Sequence, residues 1–229
     1  MAIFGRKSPR VWTLDTRRAR WGAFWNYFWT DHAFLRLAFQ NAFWIDNQLV
    51  RANQPSPHQL AFWKKRGIRT IINLRGGFDG SFYAIEKDAC ARLGLKLVDF
   101  TVTSRDAPSR EQVLGAIELF RTVEYPALMH CKSGADRAGM MSVLYRHLHK
   151  GEPLAKALDE LGFHRLHIKQ GKTGVLDYVF TRYFSEGQPL GMTFLEWVKS
   201  PAYDHMQIKA DFRAGWLGGL LADKLLRRE

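Results

Sequence analysis

From Phe43 to Ala138 the chain alternates short apolar runs with capped amphipathic stretches, and a segment written this way has few folds open to it. Residues 43–45 and 48–52 flank Asp46-Asn47, which predicts a short hairpin. Ser56 as N-cap and Pro57 in the first turn open a helix that ends at Gly67. Residues 68–74, Ile-Arg-Thr-Ile-Ile-Asn-Leu, are rich in β-branched side chains and predict a buried strand. A helix follows over about residues 81–93, stopped by Gly94, and then a strand over residues 95–102. After a polar loop, Ser109 and Gln112 form a capping box for the helix that carries Leu114, Ile117, Leu119 and Phe120. Residues 126–130 are a short apolar strand that runs directly into Cys131, and from Ala138 onward the pattern is helical. The expected fold is α/β: a central, mostly parallel sheet flanked by helices as a three-layer sandwich, with ligand chemistry at the carboxyl ends of the strands.

Composition narrows the classes further. The chain has 229 residues, 46% of them hydrophobic, which is enough to bury a core and too apolar for a disordered chain. Two cysteines, Cys90 and Cys131, are too few for a disulfide framework or a four-cysteine zinc site, and a reducing compartment is the simplest setting. No run of apolar residues is long enough to span a bilayer and no secretory leader is evident, so neither a transmembrane helix nor export is expected. A formal charge of +12 favours an anionic partner: nucleic acid, an acidic lipid surface or a phosphorylated substrate.

The chemistry concentrates in His130-Cys131-Lys132-Ser133-Gly134-Ala135-Asp136-Arg137-Ala138-Gly139, between a strand and a helix. A tight loop at a helix N-terminus turns successive amides toward one spot and makes an anion site. Gly134 lets the backbone curl, and the planar fork of Arg137 suits two phosphate oxygens. A thiol at the mouth of such a loop meets the same positive field, which favours the nucleophilic thiolate. The alternative is a buried cysteine acting as a small apolar side chain.

The pattern His-Cys-x-x-Gly-x-x-Arg resembles the signature of the cysteine-dependent protein tyrosine and dual-specificity phosphatase superfamily, in its bacterial dual-specificity-like form. Residues 49–55 and 71–75 are similar to early strand motifs of the same group, so that the resemblance covers about residues 43–185. It implies a phosphomonoester hydrolase, free of metal and cofactor, in which Cys131 attacks phosphorus to give a cysteinyl-phosphate that water then cleaves. Lys132, Ser133, Gly134, Ala135, Asp136 and Arg137 would bind the phosphate, and His130 would support the thiolate and the loop. The implied general acid is an aspartate upstream; Asp106, in the polar loop after a strand, is the choice, and Asp99, inside the strand pattern, is its competitor. Where the family has Ser or Thr after the arginine, this chain has Ala138, which implies slow breakdown of the phosphocysteine or, in the alternative reading, a catalytically weak phosphate-binding scaffold at the membrane. Lys132 and Asp136 are similar to loops acting on phosphoinositides. They tilt the expected substrate from a phosphorylated Tyr, Ser or Thr residue toward a lipid or inositol phosphate.

Three regions follow: a basic, aromatic helical extension over residues 1–42, the phosphatase domain over 43–185 and a C-terminal helical extension over 186–229. On a helical wheel Trp21, Phe24, Trp25, Phe28, His32, Leu35 and Phe39 share one face, with a break near Thr30-Asp31. That face either packs on the domain or lies on an anionic membrane, in which case a cytoplasmic protein would sit peripherally on the inner face. The apolar residues Phe212, Trp216, Leu217, Leu220, Leu221, Leu225 and Leu226 suggest a packed terminal helix, or a second interfacial or dimerising one. Arg51 and Arg75 line the pocket or are plain surface charges, and Cys90 either guards Cys131 as a disulfide or is a buried helical residue. His147, His149, His164 and His167 lack convincing metal-ligand spacing and read as surface residues. Gly171-Lys172-Thr173 lacks the upstream glycine of a nucleotide loop. No nucleic-acid module is apparent, so no nucleic-acid partner is expected, and oligomeric state is not legible.

Overall fold

The structure, a computed structural model, describes residues 12–213 and 215. The chain divides into two compact units. The first takes in residues up to Thr101 together with Val123–Gly134, and the second Val102–Thr122 together with the chain from Ala135 onward.

The first unit holds the sheet. Strands β1 (Phe43–Trp44), β2 (Leu49–Asn53), β3 (Thr70–Asn73), β4 (Lys96–Asp99) and β5 (Ala127–Cys131) lie in the order β1-β2-β5-β3-β4. Only the β1–β2 hairpin is antiparallel. Its turn closes on Asp46, whose carboxylate accepts from the amides of Gln48 and Leu49. The four parallel strands end in register: Asn53 stands opposite Cys131, and Asn73 opposite both His130 and Asp99. Cys131 therefore sits at the carboxyl edge of the central strand, where an α/β sheet presents its loops.

One face of this sheet is covered by α3 (Pro57–Lys65) and α4 (Ser81–Leu93). Both helices start and stop where their local chemistry dictates. Ser56 and Gln59 exchange the two bonds of a capping box before α3, and Gly94 ends α4 in the left-handed region. Val50, Ala52, Ile71 and Leu128 of the strands pack with Leu60, Trp63, Ala89 and Cys90 of the helices. Cys90 is thus the buried helical residue, its thiol pushed up to about 12 by burial and by the charges of Glu86 and Asp99.

The N-terminal helix also belongs to this unit, and here one expectation is corrected. α1 (Arg17–Trp25) runs on through a wide turn at residues 26–30, and the chain breaks at Asp31-His32 before α2 (Ala33–Ala38). The face that packs is made of Ala23, Tyr27 and Ala33 against Ile85 and Phe82, because small side chains let helix axes approach. The large aromatic face does not pack on the domain: Trp21 is 60% exposed, Trp25 48% and Trp29 57%, and their rings stack on one another along the helix.

The second unit is helical: α5 (Arg110–Thr122), α6 (Asp136–Leu144), α7 (Leu154–Ala157), α8 (Val175–Glu186) and α9 (Phe194–Lys199), joined by short 3-10 turns. The capping box before α5 forms as expected, Ser109 and Gln112 bonding each other's amides. Phe180, Tyr183, Phe194, Trp197 and Tyr203 make its aromatic core. Of the C-terminal apolar set only Phe212 is described; Trp216 and the leucines lie outside the described residues. Among the described residues no helix is long and apolar enough to cross a membrane.

The sheet core should tolerate little truncation. Ile71 is fully buried on β3, between β5 and β4, and Ile71→Ala should cost about 2–5 kcal/mol, read as a lower urea midpoint with an unchanged denaturant slope.

Candidate active site

A phosphate-binding loop needs its amides facing inward, so its carbonyls must face outward, and outward carbonyls that are buried need donors. Residues 132–134 meet that demand one by one. The carbonyl of Lys132 accepts from the Gln54 amide at 3.4 Å, that of Ser133 from Asn41 Nδ2 at 2.9 Å and that of Gly134 from Arg51 Nη2 at 2.6 Å. With the carbonyls so held, the amide of Gly134 donates to Cys131 Sγ at 3.2 Å. Cys131 is 1% exposed. Gly134 has φ +74°, and a Cβ there would stand 2.6 Å from the Asn53 nitrogen, so only glycine allows the loop to seat against β2.

Arg51 is therefore neither a surface charge nor a wall of an open pocket. It is completely buried inside β2, and one of its jobs is to hold the Gly134 carbonyl. Arg75 is likewise not on the surface. Its guanidinium takes both oxygens of Asp31, at 2.7 and 3.0 Å, and also donates to Gln54. The same Asp31 carboxylate receives Arg36 Nη2 at 2.5 Å and Lys132 Nζ at 3.3 Å. One buried carboxylate thus serves three cations, one of them Lys132, which follows Cys131. Burial opposes its ionisation, but the hydrogen bond and charge of Arg75, with Arg36 and Lys132, outweigh that and hold the carboxyl below its ordinary value. Behind the loop, His130 is fully buried with Nε2 2.8 Å from Glu86 Oε1, and Gln54 Nε2 reaches the other oxygen of Glu86 at 3.3 Å.

The two aspartates weighed as general acid have different settings. Asp99 ends β4 and is engaged by Asn73 Nδ2 at 2.8 Å and Tyr83 Oη at 2.6 Å, which makes it a clasp of the sheet edge. Asp106, in the second unit, is half-buried on its loop and paired with Lys209. That loop is braced within its own unit: Tyr203 donates to the Pro108 carbonyl, and Arg110 donates to the carbonyls of Val198 and Ser200 at 2.8 and 2.7 Å.

Asp136 and Arg137 form the first turn of α6, and Ala138 is buried behind them. Asp136 pairs with His167, and this corrects the surface reading of that histidine. That histidine is no surface residue: its side chain is 0% exposed, with Nδ1 2.8 Å from Asp136 Oδ1 and Nε2 2.5 Å from Asp177 Oδ2. His164 does lie at the surface, and His147 and His149 are half-buried. Among the described residues no group of side chains could hold a metal ion.

The family model described as a DSP-PTPase phosphatase fused to NAD+ kinase matches residues 41–174, more than half of the chain. The chain belongs to this DSP-PTPase family. It is a cysteine-dependent phosphatase, and the mostly parallel sheet that ends on Cys131 is the α/β arrangement such enzymes build on. No curated protein matches it in sequence. Solved structures similar to it include TpbA of P. aeruginosa in complex with phosphotyrosine, at 19% identity over 53% of this chain and 71% of that one, TM-score 0.46. A DUF442 protein of Shewanella putrefaciens CN-32 is 18% identical over 66% of this chain and 98% of that one, TM-score 0.48. Tk-PTP in its active form is 23% identical over 53% of this chain and 82% of that one, TM-score 0.44.

For this DSP-PTPase phosphatase, Asp31 gives a test of the charge network. Asp31→Asn leaves Arg36 and Arg75 buried without their counter-charge, and should cost about 3–5 kcal/mol. The sign with pH follows from the lowered carboxyl: its contribution is complete above the ordinary value of 3.8 and is lost as pH falls through the lowered one. Wild type and variant should therefore converge in stability on acidification, as urea titrations at pH 7 and pH 3 would show.

Proposed function

We propose that Cys131 is the nucleophile of a phosphomonoesterase whose favoured substrate is a lipid or inositol phosphate. The observation that carries the reading is the backbone of residues 132–134, with three carbonyls tied outward and the Gly134 amide on the sulfur. In this reading Sγ attacks phosphorus, the P–O ester bond breaks, and Asp106 gives its proton to the departing oxygen. Water, deprotonated by the Asp106 carboxylate, then attacks the phosphocysteine, releasing inorganic phosphate and regenerating the thiolate. Arg137 and the amides of Lys132, Ser133, Gly134, Ala135 and Asp136 hold the phosphoryl oxygens, where loss of a single such donor costs about 10²–10³ in rate. His130, packed on Glu86 beneath the nucleophile, supports the loop.

Two features favour a lipid-borne or polyanionic phosphate over a phosphoprotein. Lys132, its side chain 41% exposed, is one of three cations gathered on the single Asp31 carboxylate, which leaves net positive charge for a second anionic group. The exposed aromatic face of α1 carries Arg17 and Arg18 at its start, the composition of a helix that settles into an anionic interface. A phosphotyrosine substrate, as bound by the related fold of TpbA, remains the competing arm of the test. The scaffold alternative draws on one residue: Ala138 stands where a hydroxyl would speed breakdown of the intermediate.

A phosphate-release panel over phosphotyrosine and phosphoserine peptides, phospholipids and inositol phosphates separates these readings. Turnover should be highest on the last two, absent in Cys131→Ser, and lowered about 10²–10⁴-fold on poor leaving groups by Asp106→Asn. Turnover surviving in Cys131→Ser would refute the mechanism, and an acid role for Asp99 would show as the same loss in Asp99→Asn with Asp106→Asn intact.

Membrane contact is tested on the full chain, because residues 31–41 hold the loop. Trp21, Trp25 and Trp29, all replaced by Ser, should lower partitioning onto phosphatidylserine vesicles at least tenfold with solution turnover of a soluble aryl phosphate unchanged. Equal flotation of both proteins would remove the aromatic face as the anchor.

A further inference from the structure

His167 is the one wholly buried histidine that the proposed reaction does not use, and both of its ring nitrogens face carboxylates. A neutral imidazole carries a single N–H and would leave one of the two carboxylates facing a lone pair. The geometry therefore requires an imidazolium. Its partners come from two helix starts: Asp136 opens α6 and Asp177 lies in the first turn of α8. Lys169 also faces this group, its ammonium 3.4 Å from the second oxygen of Asp177.

Asp136 poses a problem that this arrangement solves. It is the immediate neighbour of Arg137, and a carboxylate beside a phosphate-binding arginine repels the dianion that the arginine must hold. Bonded to a buried cation, the same carboxylate is neutralised and its direction fixed, and the first turn of α6 is fixed with it. We propose that His167 is a positioning residue for phosphate binding: paired with the Asp136 side chain, it screens that charge from the phosphate that Arg137 holds. This rests on the phosphate-binding role of Arg137 given above.

The inference carries a pH signature. Burial works against the imidazolium, but the hydrogen bonds and charges of Asp136 and Asp177 raise it to about 9. The contact is thus intact at neutrality and is lost as the pH rises through about 9, the direction expected for a raised histidine.

The test reads binding of inorganic phosphate by calorimetry in the full chain carrying Cys131→Ser, so that no turnover intervenes. Affinity should fall roughly tenfold between pH 8 and pH 10, the size of one lost charge-assisted contact. His167→Gln should show the weakened affinity already at pH 8 and a flat profile above it. Asp136→Asn, which removes the carboxylate that needs screening, should bind within about threefold of the parent at pH 8 and also lose the alkaline limb. The double variant should recover the affinity that His167→Gln loses, which a merely structural histidine would not do. Where His167→Gln fails to fold, the flat profile of Asp136→Asn alone decides. An alkaline limb that persists in Asp136→Asn, or a double variant as weak as His167→Gln, would overturn the inference. Phosphate that binds equally well without the Arg137 guanidinium, in Arg137→Met, would instead overturn the reading on which it rests.

Discussion

The loop after β5 exists because three outward carbonyls find three donors. A backbone that turns its amides toward one point is unstable on its own, since every inward N–H commits a C=O to the outside, where burial would strand it. Here the outside is supplied by β2, by the residue that follows it and by the segment before β1: Arg51, Gln54 and Asn41. The cost of this solution is a guanidinium buried within the sheet, tolerable because its charge meets a carbonyl at 2.6 Å. The close seat of Gly134 on β2 follows from the same geometry, as does the amide that meets the Cys131 sulfur.

Charge around the loop is organised by subtraction. Arg36, Arg75 and Lys132 bring three positive charges and Asp31 removes one, so the carboxylate keeps the cations from repelling one another while leaving the region positive. In the second unit the balance is struck the other way round, with one cation, His167, between two carboxylates. Both devices bond a carboxylate to buried positive charge, Asp31 to Arg36 and Arg75 and Asp136 to His167.

What could be seen in the sequence is what local chemistry controls. Two capping boxes, the Asp46 turn, the Gly94 stop and the β-branched runs each depend on neighbours within a few residues, and each element they predict is present. The signature motif was visible for the same reason. Asp31, Arg51 and His167 were not, because the partners that give them meaning are distant: Arg51 and Gly134 are 83 residues apart, His167 and Asp136 31. Testing His167 only for metal-ligand spacing missed the carboxylate ten residues on at Asp177, which was the signal available. The aromatic helix failed differently. A wheel finds a face but not which way it points, and the alternation of Ala23 and Tyr27 with bulky rings marked the packed side.

That orientation leaves a single short segment between the exposed aromatic rings and the loop after β5. α1 displays its aromatic rings, the chain breaks at Asp31, and ten residues later Asn41 holds the Ser133 carbonyl. Between them Gln59 grips the Arg36 carbonyl at 3.1 Å, Asn53 the Phe39 carbonyl at 2.6 Å and Trp63 the Gln40 side chain at 3.3 Å. The helix that exposes Trp21, Trp25 and Trp29 is therefore joined to the groups that shape the loop by a segment bonded along its length.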